Sequence, residues 1–174
     1  MRTKKTAHFA LLLALALVLS YFESLIPLFS VIPGGKIGLA NIVTMVVFCL
    51  FGVWPSLWFG LLRCFLSAVL VSGVFAFLYS SAGTILSVLC MAVAQKLLKG
   101  KVSEIGLSIL GAVFFNVGQL IVCACVLGST AIFRYFPTLG IISSIAGFVT
   151  GYIANRTNRY MMGNIFKNNR METE

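Results

Sequence analysis

The sequence predicts an all-α integral membrane protein of six transmembrane helices with both termini in the cytoplasm. Three observations predict it. Hydrophobic residues make up 60% of the 174 positions and charged residues only 10%, against about 25% charged in an ordinary soluble chain, and the mean hydropathy is +1.04. The apolar residues fall into six runs, each near the roughly 20 residues that a helix needs to cross the hydrocarbon; barrel strands would be far shorter and alternating. The basic residues sit at the chain ends and between the runs, where membrane topology needs them. They form no soluble basic face, so the net charge of +9 does not point to nucleic acid.

The first run, about 7–29, follows Met1-Arg2-Thr3-Lys4-Lys5, a start that imitates a signal peptide. It continues through Leu19 to Phe22, and Ala14-Leu15-Ala16 is the one weak match to a cleavage site, so a retained first span is expected. Pro33-Gly34-Gly35-Lys36 makes a turn before a second, shorter run over 37–51. The third starts at Trp54-Pro55, with Pro tolerated in the first helical turn, and reaches about Val71. The fourth covers 74–98 and ends at the basic break Lys99-Gly100-Lys101. The fifth covers 105–127, and Gly128-Ser129-Thr130 leads to the sixth, 132–153. Residues 1–154 are thus read as the transmembrane domain and 155–174 as a basic cytoplasmic tail. The tail mixes Met161, Met162, Ile165 and Phe166 with basic residues, which predicts a surface helix on anionic lipid.

Orientation follows from the lysines and arginines. Arg2, Lys4, Lys5, Lys96, Lys99, Lys101, Arg156, Arg159, Lys167 and Arg170 fall on one side of a six-span chain, and only Lys36 and Arg134 on the other. Ten against two places the first group in the cytoplasm.

Several function classes drop out. The four acids are all Glu and there is no Asp, which removes EF-hand loops, Ser/His/Asp triads and Asp-rich metal motifs. His8 is the single histidine, too few for a His-based zinc site. Cys49, Cys64, Cys90, Cys123 and Cys125 all lie inside apolar runs and read as small buried hydrophobes. No metal, cofactor or catalytic group is expected.

Polar side chains within the spans carry the functional reading, because ionisable groups in a bilayer are costly. Arg63 lies roughly 13 Å into the third helix at 1.5 Å per residue. Glu23 sits late in the first helix, Lys36 and Asn41 at the entrance to the second, and Tyr79 with Ser80 and Ser81 early in the fourth. Asn116 and Gln119 share one face of the fifth helix by their i, i+3 spacing. Arg134 and Tyr135 open the sixth. Together these groups predict a polar cavity in the outer half of the bundle, the inner halves offering few. The alternative is a structural ion pair with interhelical hydrogen bonds. Ala10 and Ala14 on the first helix, and Gly147 and Gly151 on the sixth, form small-residue ridges suited to close helix contact.

The segments Glu23-Ser24-Leu25-Ile26-Pro27 and Pro33-Gly34-Gly35-Lys36-Ile37-Gly38-Leu39-Ala40-Asn41-Ile42 resemble the opening of a bacterial family called Gx transporters, whose members are often labelled heptaprenyl diphosphate synthase component I. Arg63, the stretch from Phe77 to Gly83, and Gly111-Ala112 with Asn116-Val117-Gly118-Gln119 extend the resemblance over about 14–151. Phe115 departs from the family pattern, which has His there, so no proton carrier is implied at that position.

The family looks like the substrate-binding S components of energy-coupling factor transporters. The resemblance implies an S-component-like bundle in the bacterial cytoplasmic membrane that takes up a small solute at an outward site. The candidate binding residues are Glu23, Lys36, Asn41, Arg63, Tyr79, Asn116 and Gln119. It also implies a transmembrane coupling subunit, docked on the Ala10/Ala14 ridge, and ATPases in trans. The chain itself has no phosphate-binding loop: Gly34-Gly35-Lys36 is followed by Ile37, not a hydroxyl residue. The other expectation raised by the family label is a non-catalytic membrane accessory of a polyprenyl diphosphate synthase. Prenyl elongation needs Mg²⁺ on the diphosphate, held by Asp-rich motifs that this chain lacks.

Overall fold

The computed structural model describes residues 2–25, 41–98 and 102–171, with side chains placed for 7–25, 41–70, 73–98 and 102–157. Among the described residues every element is a helix: α1 (Arg2–Leu25), α2 (Asn41–Phe51), α3 (Val53–Ser67), a π-helical turn (Ala68–Ser72), α4 (Gly73–Leu97), α5 (Glu104–Leu127), a 3₁₀ turn (Thr130–Tyr135) and α6 (Phe136–Met171). Five of the helices are long and apolar enough to cross a membrane. The described part of α2 has 11 residues, about 16 Å of helix against a hydrocarbon core of roughly 30 Å.

Single glycines join α2, α3 and α4. Gly52 at φ 86° and Gly73 at φ 76° occupy the left-handed half of backbone space, which side chains beyond glycine rarely adopt. A Cβ at either position would meet open space, so the backbone angle and not crowding sets the requirement. The π-helical turn lies between Ser67 and Gly73, giving α3 a glycine joint at each end and a widened turn at one of them. Elsewhere the punctuation is conventional. Ser103 Oγ accepts from Gly106 N at 3.1 Å to start α5, and Gly128 at φ 62° ends it.

Neighbouring helices run antiparallel and approach at glycines. A Cβ on Gly118 of α5 would lie 2.8 Å from the Ala82 carbonyl oxygen and 2.8 Å from Gly83 Cα, both on the α4 backbone. On Gly83 it would lie 2.7 Å from the Phe115 carbonyl oxygen. The predicted Gly147/Gly151 ridge packs the same way inside the molecule. Cβ atoms there would fall 2.7 Å from Ile109 Cα and 2.6 Å from Ile105 Cα of α5. The Ala10/Ala14 ridge does the opposite: both alanines are exposed, on a face of α1 shared with Leu11, Leu15, Val18 and Phe22.

Three apolar clusters fill the interior. Phe9, Ala16, Val43, Val47 and Phe59 join α1, α2 and α3, with the Phe9 and Phe59 rings edge to face at 5.0 Å. Met45, Phe48, Val88, Met91, Leu107 and Ala154 join α2, α4, α5 and α6 near the Gly52 end. Tyr79, Leu120, Cys123, Ile132 and Leu139 join α4, α5 and α6 near the Gly73 end.

The sixth run differs from its expected form. Residues 132–135 belong to the 3₁₀ turn, and α6 runs 36 residues without a break at Asn155. The tail expected as a separate surface helix therefore continues the span. Over 36 residues α6 is about 54 Å long, roughly 24 Å more than the hydrocarbon core.

Candidate functional site

A cleft opens where α1, α3, α4 and α5 meet, lined by Ser20, Glu23, Arg63, Cys64, Ser67, Ser80 and Phe115. Its volume, taken as the space open to the centre of a water-sized sphere, is about 10 Å³. That holds about one water molecule. Arg63 is 4% exposed and Glu23 5%, so two opposite charges share a small void well inside the bundle.

The guanidinium is only partly satisfied. Arg63 Nη2 donates to Thr84 Oγ1 at 3.4 Å and to Cys64 Sγ at 3.7 Å, and that thiol lies 3.4 Å from Thr84 Oγ1. Both contacts are long, and the thiol is a weak acceptor. Arg63 Nε and Ser80 Oγ are buried with no hydrogen-bond partner among the described residues. An unmade hydrogen bond of this kind costs about 1–3 kcal/mol, more for a charged group.

The other expected site residues are all buried where described. Thr44 of α2 packs at Gly60 of α3, since a Cβ on Gly60 would lie 3.5 Å from Thr44 Cγ2. One turn further along these antiparallel helices, Asn41 stands at the level of Arg63. Tyr79 instead belongs to the cluster with Leu120, Cys123 and Leu139. Asn116 and Gln119 lie one and two turns beyond Ala112, on the flank of α5 that faces Gly147 of α6. The cleft thus brings Glu23 and Arg63 together, while Asn41, Tyr79, Asn116 and Gln119 are not among its lining residues and Gln119 Nε2 is buried with no hydrogen-bond partner among the described residues. Lys36 lies outside the described residues. Among those residues no cluster of three or more His, Cys, Asp or Glu could hold a metal ion.

Residues 12–157 match the family model for heptaprenyl diphosphate synthase component I. The chain belongs to that family. No curated protein and no solved structure matches it. The match covers every described member of the component I cleft, from Ser20 to Phe115. Phe115, the position that departs from the resemblance, forms one wall of the cleft, and its ring and carbonyl lie against Gly83.

Sequence reasoning missed Ser20, Cys64, Ser67 and Thr84 as members of the site. Helical spacing carried the signal. Ser20 precedes Glu23 by three residues, Ser67 follows Arg63 by four, and Ser80, Thr84 and Ser87 recur at i, i+4, i+7 on α4. The expected asymmetry is also narrower than composition implied. Ser56, Ser87, Ser108 and Thr150 are buried toward the Gly52 end. Ser56 and Thr150 donate back to their own helices, to Val53 O at 2.7 Å and Ala146 O at 2.6 Å. Among the described residues the buried charged and amide side chains, Glu23, Asn41, Arg63, Asn116 and Gln119, lie in the Gly73 half.

Proposed function

We propose that this component I protein is the solute-binding subunit of a membrane uptake system, six-spanning and with both termini in the cytoplasm of a bacterial cell. The solute enters the Glu23/Arg63 cleft from the outer face, and partner subunits supply the coupling and the ATP hydrolysis. One observation carries the reading: a buried, under-bonded guanidinium shares with a buried carboxylate a water-sized void lined from α1, α3, α4 and α5. Buried ionisable groups of this kind in a membrane bundle mark binding or transport paths by default.

A solute pocket is commonly 300–1,000 Å³, so the conformation described here is the closed one and binding requires a helix to move. The lightly packed α1 is the candidate: 17% of its span is buried, against 44% for α4. Its exposed Ala10/Ala14 face is free to meet a coupling subunit.

The family description favours a second reading, a non-catalytic membrane accessory of a heptaprenyl diphosphate synthase. Native mass spectrometry of the purified chain separates the two. A co-purifying small molecule that disappears in a folded Arg63→Ala variant supports uptake. An empty cleft in a chain that retains a prenyltransferase subunit supports the accessory role.

A further inference from the structure

Thr84 of α4 is fully buried and is not among the lining residues of the cleft, yet it touches the arginine that is. Arg63 Nη2 donates to Thr84 Oγ1 at 3.4 Å, Thr84 Oγ1 lies 3.4 Å from Cys64 Sγ, and Nη2 lies 3.7 Å from the same thiol. Three buried groups thus close a triangle on one corner of the guanidinium. Arg63 Nε, at another corner of the same plane, has no hydrogen-bond partner among the described residues. On the solute-binding reading above, we propose that Thr84 is a positioning residue of the site: its hydroxyl fixes the Nη2 corner of Arg63 so that Nε is presented to an acceptor on the solute, and the glycine at position 60 sets the Thr84 rotamer that does so.

Gly60 of α3 supplies the lock. A Cβ there would collide with Thr84 Cγ2, while it would lie 3.8 Å from Thr84 Cβ and 3.5 Å from Thr44 Cγ2. The Thr84 methyl therefore fills the hollow that the glycine leaves. On a β-branched carbon the methyl and the hydroxyl keep a fixed angle between them, so seating the methyl at Gly60 directs the hydroxyl to Arg63 and Cys64. The hydroxyl suits that place: it accepts from the guanidinium and still has its own proton to give to the thiol. An ionised donor strengthens such a bond, and low-dielectric surroundings strengthen it further. The guanidinium is planar and its donors form a rigid fork, so holding one corner orients the rest.

Moving one methyl group separates hydroxyl from notch. Thr84→Val keeps the shape and removes the hydroxyl. Gly60→Ala keeps the hydroxyl and drives the Thr84 methyl out. Gly60→Ala combined with Thr84→Ser transfers the methyl from α4 to α3 and keeps both the filled notch and the hydroxyl. NMR of guanidino-¹⁵N arginine in the full chain in lipid nanodiscs, with the Arg63 signal assigned by Arg63→Lys, reads rotation about its Nε–Cζ bond. Titration with acetamide, a small carbonyl acceptor, reads access to Nε in the same samples. Rotation is expected to be at least tenfold faster in Thr84→Val and in Gly60→Ala than in the wild type, and to return to the wild-type rate in the double variant. The acetamide-induced shift of Arg63 Nε is expected to need at least tenfold more acetamide in Thr84→Val and to recover in the double variant. Rotation unchanged by Thr84→Val, or equal acetamide affinity with and without the hydroxyl, overturns the positioning role and leaves the solute-binding reading intact. A rotation lock with no acetamide shift at Arg63 Nε in any chain overturns both, because the hydroxyl is then purely structural. If Gly60→Ala fails to fold, the comparison of wild type with Thr84→Val decides alone.

Discussion

The α4–α5 crossing fixes two walls of the cleft, Ser80 and Phe115, and Gly118→Ala is the smallest change that should pry it open. The added Cβ would lie 2.8 Å from Ala82 O, 2.8 Å from Gly83 Cα and 2.9 Å from Gly83 N. All three are backbone atoms of α4, so no side chain can rotate away. Carbon atoms rest at about 3.5–4.0 Å, and relief therefore demands that the helices separate by about 0.7–1.2 Å. Overpacking of this order costs about 1–3 kcal/mol, or a drop of roughly 2–12 °C in midpoint for a chain of this size. Gly140→Ala is the matched control. It also lies inside a helix, and its Cβ would have nothing within 4 Å. There the gain in helix propensity predicts a change of about 1 kcal/mol or less, in the stabilising direction. Thermal unfolding of both variants in the same detergent measures the contrast. If Gly118→Ala melts with or above the wild type, the glycine contact is not what sets the helix separation and the reasoning fails.

Four further outcomes follow. Arg63→Ala removes one charge from a shared buried void and should destabilise the chain by about 3–5 kcal/mol, read as a loss of midpoint; a shift under about 1 kcal/mol would show that the guanidinium is solvated or dispensable. Glu23→Gln combined with Arg63→Met should recover most of that loss, and a double variant no better than Arg63→Ala refutes electrostatic coupling across the cleft. In a cysteine-free background, an impermeant maleimide should label Ser103→Cys from the cytoplasmic face and Ser129→Cys from the outer face, and the reverse pattern inverts the proposed topology. Ala10→Leu with Ala14→Leu should leave stability within about 0.5 kcal/mol, as for exposed positions, yet abolish co-purification of a coupling subunit; retained co-purification moves docking to another face.

Helix existence was legible because hydrophobic run length and Pro/Gly punctuation are local properties. The Trp54-Pro55 start and the break near Ser72-Gly73 coincide with the start of α3 and the joint before α4. The sixth boundary was less legible. Composition changes at Asn155, but a backbone helix tolerates polar residues as readily as apolar ones, so α6 continues. The site was legible in its charged members and illegible in its hydroxyls. A buried Arg or Glu stands out in an apolar run, whereas Ser20, Ser67 and Thr84 look like ordinary spacers until the helices are paired. Depth alone groups Asn116 and Gln119 with Arg63, yet neither lines the cleft, and helix rotation depends on partners that a single sequence does not display. The Gly147/Gly151 and Ala10/Ala14 ridges read alike in sequence, and only packing separates them: the glycines meet α5, while the alanines stay on the surface.

Stability alone gives a poor account of the Glu23/Arg63 cleft. A well-packed apolar pair of similar volume commonly matches or exceeds a buried ion pair in stability, and among the described residues this one leaves Arg63 Nε and the Ser80 hydroxyl without a hydrogen-bond partner. A structural pair would be expected to have its donors filled, since a half-satisfied buried network is worse than none. Among the described residues Arg63 Nε and Ser80 Oγ have no hydrogen-bond partner, beside a void that admits a single water. If the cleft is the closed form of a binding site, a solute acceptor pairs with Arg63 Nε, and the space for it is made when the least buried span, α1, withdraws Ser20 and Glu23. The double variant with Gln and Met at these positions then has a second use. If it is as stable as the wild type but no longer holds a solute, the pair is retained for recognition; if it is far less stable than the wild type, the pair is part of the scaffold and the binding site must lie elsewhere.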